Sequence, residues 1–369
     1  MENVPESAHI DENIRVLAIN PGSTTTKVAV YQNMNPIFLK TIRHTTEELE
    51  EFETIIDQLD YRKSIICNEL KNANIKMDLI RVVVGRGGLV KPIESGVYEV
   101  NDAMIRDLID SPLGEHASNL GGLIANNMAE SLPNARAFIA DPVVVDELDD
   151  IARVAGHPAF SRISIFHALN QKAVSRQHSK SIMKKYEDLN LIVVHMGGGI
   201  TIGAHKKGRV IDVNNGLDGE GPFSPERSGT LPVGQIVNMC FSGKYTKEKI
   251  KKMVKGEGGL VAYLGTNSAY DVEKRAVAGD KEAKFYYEAM AYQVSKAIGS
   301  MCPVLKGNVD GIIITGGVAH SKWFVNMIIE RVYRIAPVHV YPGEDEMQAL
   351  ASNGLMALRG EVEICVYDK

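Results

Sequence analysis

The stretch VLAINPGSTTTKVAVY, residues 16–31, decides the fold. Its two ends, residues 16–19 and 27–31, are rich in β-branched residues and predict short strands. The turn between them suits a phosphate: glycine allows close backbone approach, hydroxyl and N–H groups donate, and a lysine at the exit supplies charge. The candidate phosphate-binding residues here are Asn20, Gly22, Ser23, Thr25 and Lys27.

This hairpin is not a P-loop, because GxxxxGK[ST] is absent and the segment after Lys27 alternates like a strand instead of opening a helix. Taken alone, it also fits an ordinary Ser/Thr-rich hairpin. A second copy of the plan, LIVVHMGGGITIGAH at residues 191–205, favours phosphate binding. A third glycine turn follows the apolar strand at 310–315 and leads into a predicted helix. These turns add the candidates His195, Gly197, Gly198, Gly199, Gly316 and Gly317.

Composition limits the class of protein. With 369 residues, two domains are expected, and 44% hydrophobic with 24% charged residues is ordinary for a globular chain. The net charge of −5 and the absence of a basic domain argue against a nucleic-acid partner. No apolar run approaches the roughly 20 residues of a membrane span, and the polar start, residues 1–13, is expected to be a loose leader and not a signal peptide. The four cysteines have no metal-ligand spacing and are expected to be reduced thiols in a cytoplasmic protein.

Four further residues are noted, of which Arg86 and Asp141 stand where functional side chains are common, whereas a lone histidine such as His167 is more often structural. Arg86 is framed by glycines after the predicted strand 82–84, where it could bind a carboxylate or phosphate, or simply lie in a surface turn. Asp141 follows the predicted strand 137–140, a usual position for a carboxylate that holds Mg²⁺. His167 lies near the start of a helix predicted over 161–180. Arg227 belongs to an irregular stretch, 210–232, long enough to predict a functional loop or disorder.

These motifs, in this order, resemble the acetate and butyrate kinase family of the actin-like ATPase superfamily over about residues 14–360. The resemblance is carried by GRGGL around Arg86, by FHALNQK around His167 and by the Arg-Ser-Gly that begins at Arg227. Acetate kinases have a histidine where Arg86 stands, whereas butyrate kinases share the arginine. The family implies an α/β protein of two similar actin-like (ribonuclease H-like) domains with the nucleotide in the cleft between them. The domains would span 1–155 plus 345–369 and 156–344, in a homodimer or larger homo-oligomer.

The resemblance also implies the reaction: butanoate + ATP ⇌ butanoyl phosphate + ADP, with branched C4–C5 acids and the physiological direction left open. Arg86 and Arg227 would hold the acceptor and the migrating phosphoryl group, and His167 would donate to an equatorial oxygen. The third glycine turn would lie against the adenosine or α-phosphate. Mg²⁺ would be set, directly or through water, by Asn20, Asp141 and one of Glu344 and Glu346, which are favoured over Asp345. Domain closure is expected, to exclude water.

The sequence departs from the family in two places and leaves alternatives open. Glu226 stands where acetate kinases have threonine, a difference that butyrate kinases share. Ser268 and Tyr270 replace an Asp and an Arg that butyrate kinases typically carry near the adenosine, so Ser268 and Tyr270 receive no role. His157 and His178 match no family motif. The alternatives are an acetate or propionate kinase, a sugar kinase with a carboxylate base, and a non-catalytic actin-like ATP-binding scaffold that would lack Arg86, His167 or Arg227.

Three helices are predicted from periodicity. They cover 45–74, 114–132 and 281–301, and the last is expected to bury Phe285, Ala289, Tyr292 and Ile298.

Overall fold

The computed structural model describes residues 14–368, so the leader predicted for residues 1–13 lies outside the described part. The chain divides into two compact units. Unit 1 comprises the residues up to 144 and from 345 onward, and unit 2 comprises residues 145–344. Residues 145–155, which the predicted boundaries place in the first domain, belong to unit 2, because Val145 and Leu148 pack with Val210 and Val213 of that unit.

Among residues 14–144 unit 1 contains six strands and four helices, and among residues 345–368 it contains one of each. In chain order up to 144 they are β1 Arg15–Pro21, β2 Thr25–Gln32, β3 Asn35–Arg43, α1 Thr46–Glu50, α2 Leu59–Asn72, β4 Ile80–Arg86, β5 Val97–Glu99, α3 Asp102–Asp110, α4 Asn119–Glu130 and β6 Arg136–Ala140.

Unit 2 contains five strands and eight helices among its described residues. They are α5 Asp150–Arg153, α6 Ala168–Ser181, β7 Asn190–Met196, β8 Ile200–Lys206, β9 Arg209–Val213, α7 Val233–Cys240, α8 Lys247–Val254, α9 Gly259–Leu264, α10 Ala269–Val277, α11 Lys281–Val304, β10 Gly311–Gly316, α12 Lys322–Val332 and β11 Val338–Pro342. The chain then returns to unit 1 with α13 Glu346–Leu358 and β12 Ile364–Cys365.

The seven-stranded sheet of unit 1 has the order β12-β5-β6-β4-β1-β2-β3. The predicted hairpin is present: β1 pairs antiparallel with β2, Asn20 opposite Lys27. On its other side β1 runs parallel to β4, and β4 runs parallel to β6. The carboxyl ends of these three parallel strands therefore meet at one edge, which places Asn20, Arg86 and Asp141 at that edge.

The five-stranded sheet of unit 2, in the order β11-β10-β7-β8-β9, repeats this plan. β7 and β8 form an antiparallel hairpin, with Met196 opposite Ile200, and β7, β10 and β11 run parallel. The carboxyl ends of β7, β10 and β11 bring together the turn 197–199, the turn at Gly316 and the segment that ends at Glu344. The duplication predicted from the two hairpins is therefore present in the two sheets.

Two predicted helices are shorter than expected. The helix over 45–74 is interrupted between α1 and α2, because the backbone N–H and hydroxyl of Thr54 donate to Asp57 Oδ2 at 2.9 and 2.8 Å, which competes with helical hydrogen bonds. The helix over 114–132 begins only at Asn119, after Gly114 with φ of 104°.

The helix predicted over 161–180 begins at Ala168, and the predicted inward face of α11 is partly wrong. Ser164 precedes α6 and donates to Val145 O at 2.7 Å, so this segment is tied to another loop. In α11, Ile298 is buried as expected, but Phe285 and Tyr292 are 64% and 52% exposed. Tyr287 and Val294 occupy the core instead. Apolar residues lie on both faces of this helix, so periodicity alone does not select one.

None of the helices among residues 14–368 is both long and apolar enough to span a membrane.

Candidate functional site

The turn between β1 and β2 is closed by its own backbone and braced by a buried arginine. Gly22 N donates to Thr25 O at 2.6 Å. Beneath the turn, the Arg62 guanidinium donates from Nη1 to Gly22 O at 2.8 Å and to Thr26 Oγ1 at 3.0 Å, and from Nη2 to Ser23 O at 3.0 Å. Arg62 is 1% exposed, and burial lowers its pKa. In the described chain no carboxylate pairs with it, so its charge lies unneutralised directly under the candidate phosphate loop.

Arg62 was missed from the sequence because it reads as one more charged residue of a helical stretch. Its position inside α2, one turn after Gln58, offers the only local signal: Gln58 Oε1 accepts from Arg62 Nε at 3.0 Å and is itself buried.

At the shared strand edge of unit 1, three predicted residues form one cluster. Asn20 Nδ2 donates to Glu346 Oε2 at 2.6 Å. Arg86 forms an ion pair with Glu346, Nη2 to Oε1 at 3.0 Å, and its Nη1 lies 3.3 Å from Asn20 Oδ1. Asn20 comes from β1, Arg86 from β4 and Glu346 from the first turn of α13. Of the three acids at 344–346, Glu346 is thus the one that joins this cluster, while Asp345 caps α13 by accepting from Gln348 N at 2.8 Å.

Two glycines next to Arg86 allow the helix α4 to pack closely against the strand β4. A Cβ on Gly121 would lie 2.2 Å from the carbonyl oxygen of Arg86, and one on Gly85 would lie 2.0 Å from Gly121 O. The close packing of α4 on β4 requires both glycines.

Asp141 follows β6 at the same sheet edge and is 2% exposed. Its Oδ1 accepts from Ser95 Oγ at 2.6 Å and from Gly96 N at 3.0 Å. Its φ of 39° lies in a region that residues other than glycine adopt infrequently.

The oxygens of unit 1 fit a magnesium ion that is shared with a phosphate. Among the described residues no group of three or more acidic, histidine or cysteine side chains forms a complete metal cage. Kinase Mg²⁺ does not need one, because it is usually bound by one or two carboxylates, waters and the substrate phosphates. Glu346, Asp141 and the amide oxygen of Asn20 supply ligands of that kind.

In unit 2 the turn 197–199 packs against Arg227. Gly197 N donates to Gly199 O at 2.9 Å, which closes the turn. A Cβ on Gly199 would lie 1.9 Å from Arg227 Nη1, so glycine is required for the arginine to reach this position. Arg227 donates from Nη1 to Gly216 O at 2.7 Å.

The Arg227 side chain is partly buried, and this burial lowers the pKa of its guanidinium. In the part of the chain that the structure describes, its Nε has no hydrogen-bond partner. A guanidinium beside a glycine turn has the charge and the N–H donors that an anion requires.

Two histidines stack at the entrance of α6 and the end of β7. The ring centroids of His167 and His195 are 3.9 Å apart with 15° between the planes. His195 Nδ1 lies 2.7 Å from Asn170 Oδ1, and its Nε2 lies 3.5 Å from Glu344 Oε2. His167 Nδ1 lies 2.8 Å from Thr201 Oγ1. Within unit 2, the structure therefore places the Glu344 carboxylate next to the ring of His195.

A cavity of about 830 Å³ opens beside the turn 197–199, large enough for a nucleoside. Its wall includes Ser268 and Tyr270, the residues at which the sequence departs from the family pattern. The Ser268 hydroxyl accepts from Asp271 N at 3.2 Å and so caps α10, while Tyr270 carries the ammonium of Lys274 4.2 Å above its ring. Other lining residues are Gly197, Gly198, Asn267, Glu273, Tyr287, Gly317, Val318, His320, Ser321, Trp323 and Glu344.

The third glycine turn reaches this cavity, although not as a direct helix start. Gly316 has φ of 93°, and a Cβ there would lie 2.3 Å from Met196 O, so glycine is needed. A 3-10 turn, Gly317–His320, follows, and α12 begins only at Lys322 with Ser321 as its cap. Gly317 and Ser321 both line the cavity.

Comparison with known proteins gives consistent results. A family model described as the Acetokinase family matches residues 161–357. Butyrate kinase 1 and Butyrate kinase 2 of Clostridium acetobutylicum are 56% and 55% identical to this chain over 353 residues, which is 96% of this chain and 99% of each relative.

Solved structures with the same fold include two kinases. The acetate kinase of Porphyromonas gingivalis has a TM-score of 0.73 at 18% identity and covers 93% of this chain and 99% of its own. A propionate kinase from Francisella tularensis subsp. tularensis has a TM-score of 0.72 at 18% identity. The match covers 92% of this chain and 98% of the propionate kinase. At this identity the likeness concerns the fold alone, and it confirms the predicted actin-like α/β class.

Proposed function

Because the chain belongs to the acetokinase family, we propose that it transfers the γ-phosphoryl group of ATP to butanoate or a branched C4–C5 acid. The new bond joins a carboxylate oxygen to the γ-phosphorus, the bond from that phosphorus to the β-phosphate oxygen breaks, and ADP leaves. The reaction also runs in reverse. The structural observation that carries the proposal is the partly buried guanidinium of Arg227, packed against Gly199 of the turn 197–199.

The acceptor needs no general base. A short-chain carboxylic acid has a pKa near that of the Glu side chain, about 4.3, so it is already ionised at pH 7. The obstacle is the approach of one anion to another, and catalysis of phosphoryl transfer is mostly positioning and electrostatic stabilisation. An enzyme that transfers a phosphoryl group to a carboxylate therefore requires fixed cationic donors more than it requires a general base.

Unit 2 supplies Arg227 as a cationic donor, together with neutral donors. We assign Arg227 to the migrating phosphoryl group, His167 to one of its equatorial oxygens, and the turn at 197–199 to the adjoining phosphates. The adenosine would occupy the cavity lined by Tyr270 and Gly317.

Residues of unit 1 supply the rest. We assign Arg86 to the acyl group's carboxylate or phosphate, and the turn that contains Ser23 and Thr25 to nucleotide phosphates, with the charge of Arg62 behind it. Lys27 follows this turn on β2 and would add charge. Mg²⁺ would be held by Glu346, Asn20 and Asp141, partly through water, and would neutralise charge on the phosphates. The homo-oligomeric state and the cytoplasmic location implied by the family stay predictions.

The test is trapping of acyl phosphate by hydroxylamine with ATP and Mg²⁺ across straight and branched acids from acetate to hexanoate. The proposal expects the largest kcat/KM for acids of four or five carbons. One methylene in an apolar pocket is worth ~1–3 kcal/mol, so acetate should be turned over ~10- to 200-fold less well per methylene lost. A maximum at acetate or propionate would favour that alternative, and phosphorylation of a sugar in place of any acid would support the sugar kinase. ATP binding without any acyl hydroxamate would support the scaffold.

A further inference from the structure

The ring of His167 ends a chain of buried hydrogen bonds that begins at Tyr186. Tyr186 Oη lies 2.6 Å from His205 Nδ1, and His205 Nε2 lies 2.9 Å from Gln171 Oε1. Gln171 Nε2 lies 2.9 Å from Thr201 Oγ1, which in turn lies 2.8 Å from His167 Nδ1. Tyr186, His205, Gln171 and Thr201 are all at most 4% exposed, so water does not compete for these bonds.

The contacts of Gln171 fix which groups donate and which accept along this series of hydrogen bonds. The same Nε2 that faces the threonine hydroxyl also lies 3.1 Å from the backbone carbonyl of Thr201. A carbonyl only accepts, so the amide NH₂ must occupy this position and Oε1 must face His205. His205 Nε2 therefore carries a proton and donates it to Gln171.

His205 is then neutral with an unprotonated Nδ1. Burial lowers its pKa well below the usual range, and the charges of Lys172 and Arg176 lower it further. The Nδ1 lone pair accepts the Tyr186 hydroxyl proton. Ser175 Oγ lies 3.4 Å from the same nitrogen but donates to Gln171 O at 2.7 Å, so it does not displace the tyrosine.

At the His167 end of these hydrogen bonds, the described residues offer the Thr201 hydroxyl proton a single acceptor. Within hydrogen-bond distance of Oγ1, the described residues offer Gln171 Nε2, the His167 backbone N–H and His167 Nδ1. The first two are donors. The hydroxyl therefore donates to His167 Nδ1, which must be unprotonated, and the ring proton resides on Nε2.

We propose that Thr201, Gln171 and His205 are positioning residues that hold His167 as the neutral tautomer with its proton on Nε2. This inference rests on the role proposed above for His167. An Nε2–H group donates a hydrogen bond to a phosphoryl oxygen, whereas the other tautomer would present a lone pair and repel that oxygen. A neutral ring is also compatible with the stacking of His195 at 3.9 Å, since two imidazolium rings would repel.

The test is NMR of protein labelled with isotopic histidine, without ligands at about pH 7.5. The His167 signal is assigned by its loss in His167→Gln. The expected wild-type spectrum has a pyridine-type Nδ1 and a pyrrole-type Nε2 for this ring. Thr201→Val should give a mixture of tautomers and lower kcat about tenfold, with the KM for ATP changed less than about twofold. Thr201→Ser should restore both readouts.

Ser164→Ala is the matched control, because it removes a buried hydroxyl of unit 2 that donates to Val145 O and takes no part in the hydrogen-bond chain from Tyr186 to His167. A wild-type His167 with a proton on Nδ1, or with both nitrogens protonated, would overturn the inference without any variant. So would a Thr201→Val protein that keeps the wild-type tautomer. If the Nε2–H tautomer is found but the wild type forms no acyl phosphate, the proposed function fails while the hydrogen-bond chain stands.

Discussion

Replacing Arg62 by methionine tests whether the phosphate turn depends on a buried cation. Methionine keeps much of the apolar stem but removes the donors to Gly22 O, Ser23 O, Thr26 Oγ1 and Gln58 Oε1. Ser23 is exposed, so water replaces that bond. The remaining acceptors are buried or half-buried.

Each acceptor left without a donor costs roughly 1–3 kcal/mol, so with three such acceptors Arg62→Met should lower the free energy of unfolding by about 3 kcal/mol or more. Because the turn loses both its brace and the nearby charge, the KM for ATP should rise about tenfold or more. Arg62→Lys keeps the charge but cannot fork to several acceptors, so it should fall between wild type and Arg62→Met.

The assays are urea denaturation followed by circular dichroism and steady-state kinetics at saturating carboxylate. Arg81→Met is the matched control, because Arg81 donates to Asp78 O at 2.6 Å at an exposed site, and its loss should change stability by less than about 0.5 kcal/mol. A loss below about 1 kcal/mol in Arg62→Met, with an unchanged KM for ATP, would refute the reasoning.

Three further predictions follow from the site and its surroundings. Gly199→Ala places a methyl group 1.9 Å from Arg227 Nη1 and should lower kcat ~100-fold in a folded protein, whereas Gly234→Ala, with nothing within 4 Å of its Cβ, should leave kcat unchanged; equal kinetics of the two variants would contradict this. Burial lowers the pKa of His178 and of His205, and neighbouring positive charge lowers both pKa values further. The folded protein therefore keeps both rings neutral, whereas the unfolded chain takes up protons below its histidine pKa of about 6.5, so stability is lost as the pH falls below that value. Urea midpoints should thus drop between about pH 7 and 5.5, less steeply in His178→Gln, and a flat profile would be inconsistent with these shifts. Chelation of divalent cations should stop acyl phosphate formation and added Mg²⁺ should restore it; full turnover in excess chelator would remove the magnesium assignment.

The duplicated hairpins and the strands at 82–84, 137–140 and 310–315 could be predicted from the sequence, because alternating β-branched residues and glycine turns are local signals. The actin-like class followed from the family resemblance. The family was also predicted correctly from short motifs around Arg86, His167 and Arg227. These motifs are readable because each depends on a few neighbouring residues.

Other features depend on residues far apart in the chain. Arg62 reads as a surface charge until α2 folds under the first turn, and Gln171 and His205 become partners only when α6 packs on β8. The buried face of α11 was predicted partly wrongly because apolar residues such as Phe285 and Tyr287 lie on both of its sides. Such choices are made by tertiary packing, which local patterns do not contain.

The central claim is that a carboxylate oxygen receives the phosphoryl group of ATP. The most direct measurement is phosphorus NMR of a reaction containing ATP, Mg²⁺ and butanoate labelled with oxygen-18 in its carboxylate. The account predicts ADP and an equal amount of acyl phosphate whose phosphorus signal carries the isotope shift of a bridging oxygen-18. Release of ADP and unlabelled inorganic phosphate, with no labelled acyl phosphate, would contradict it.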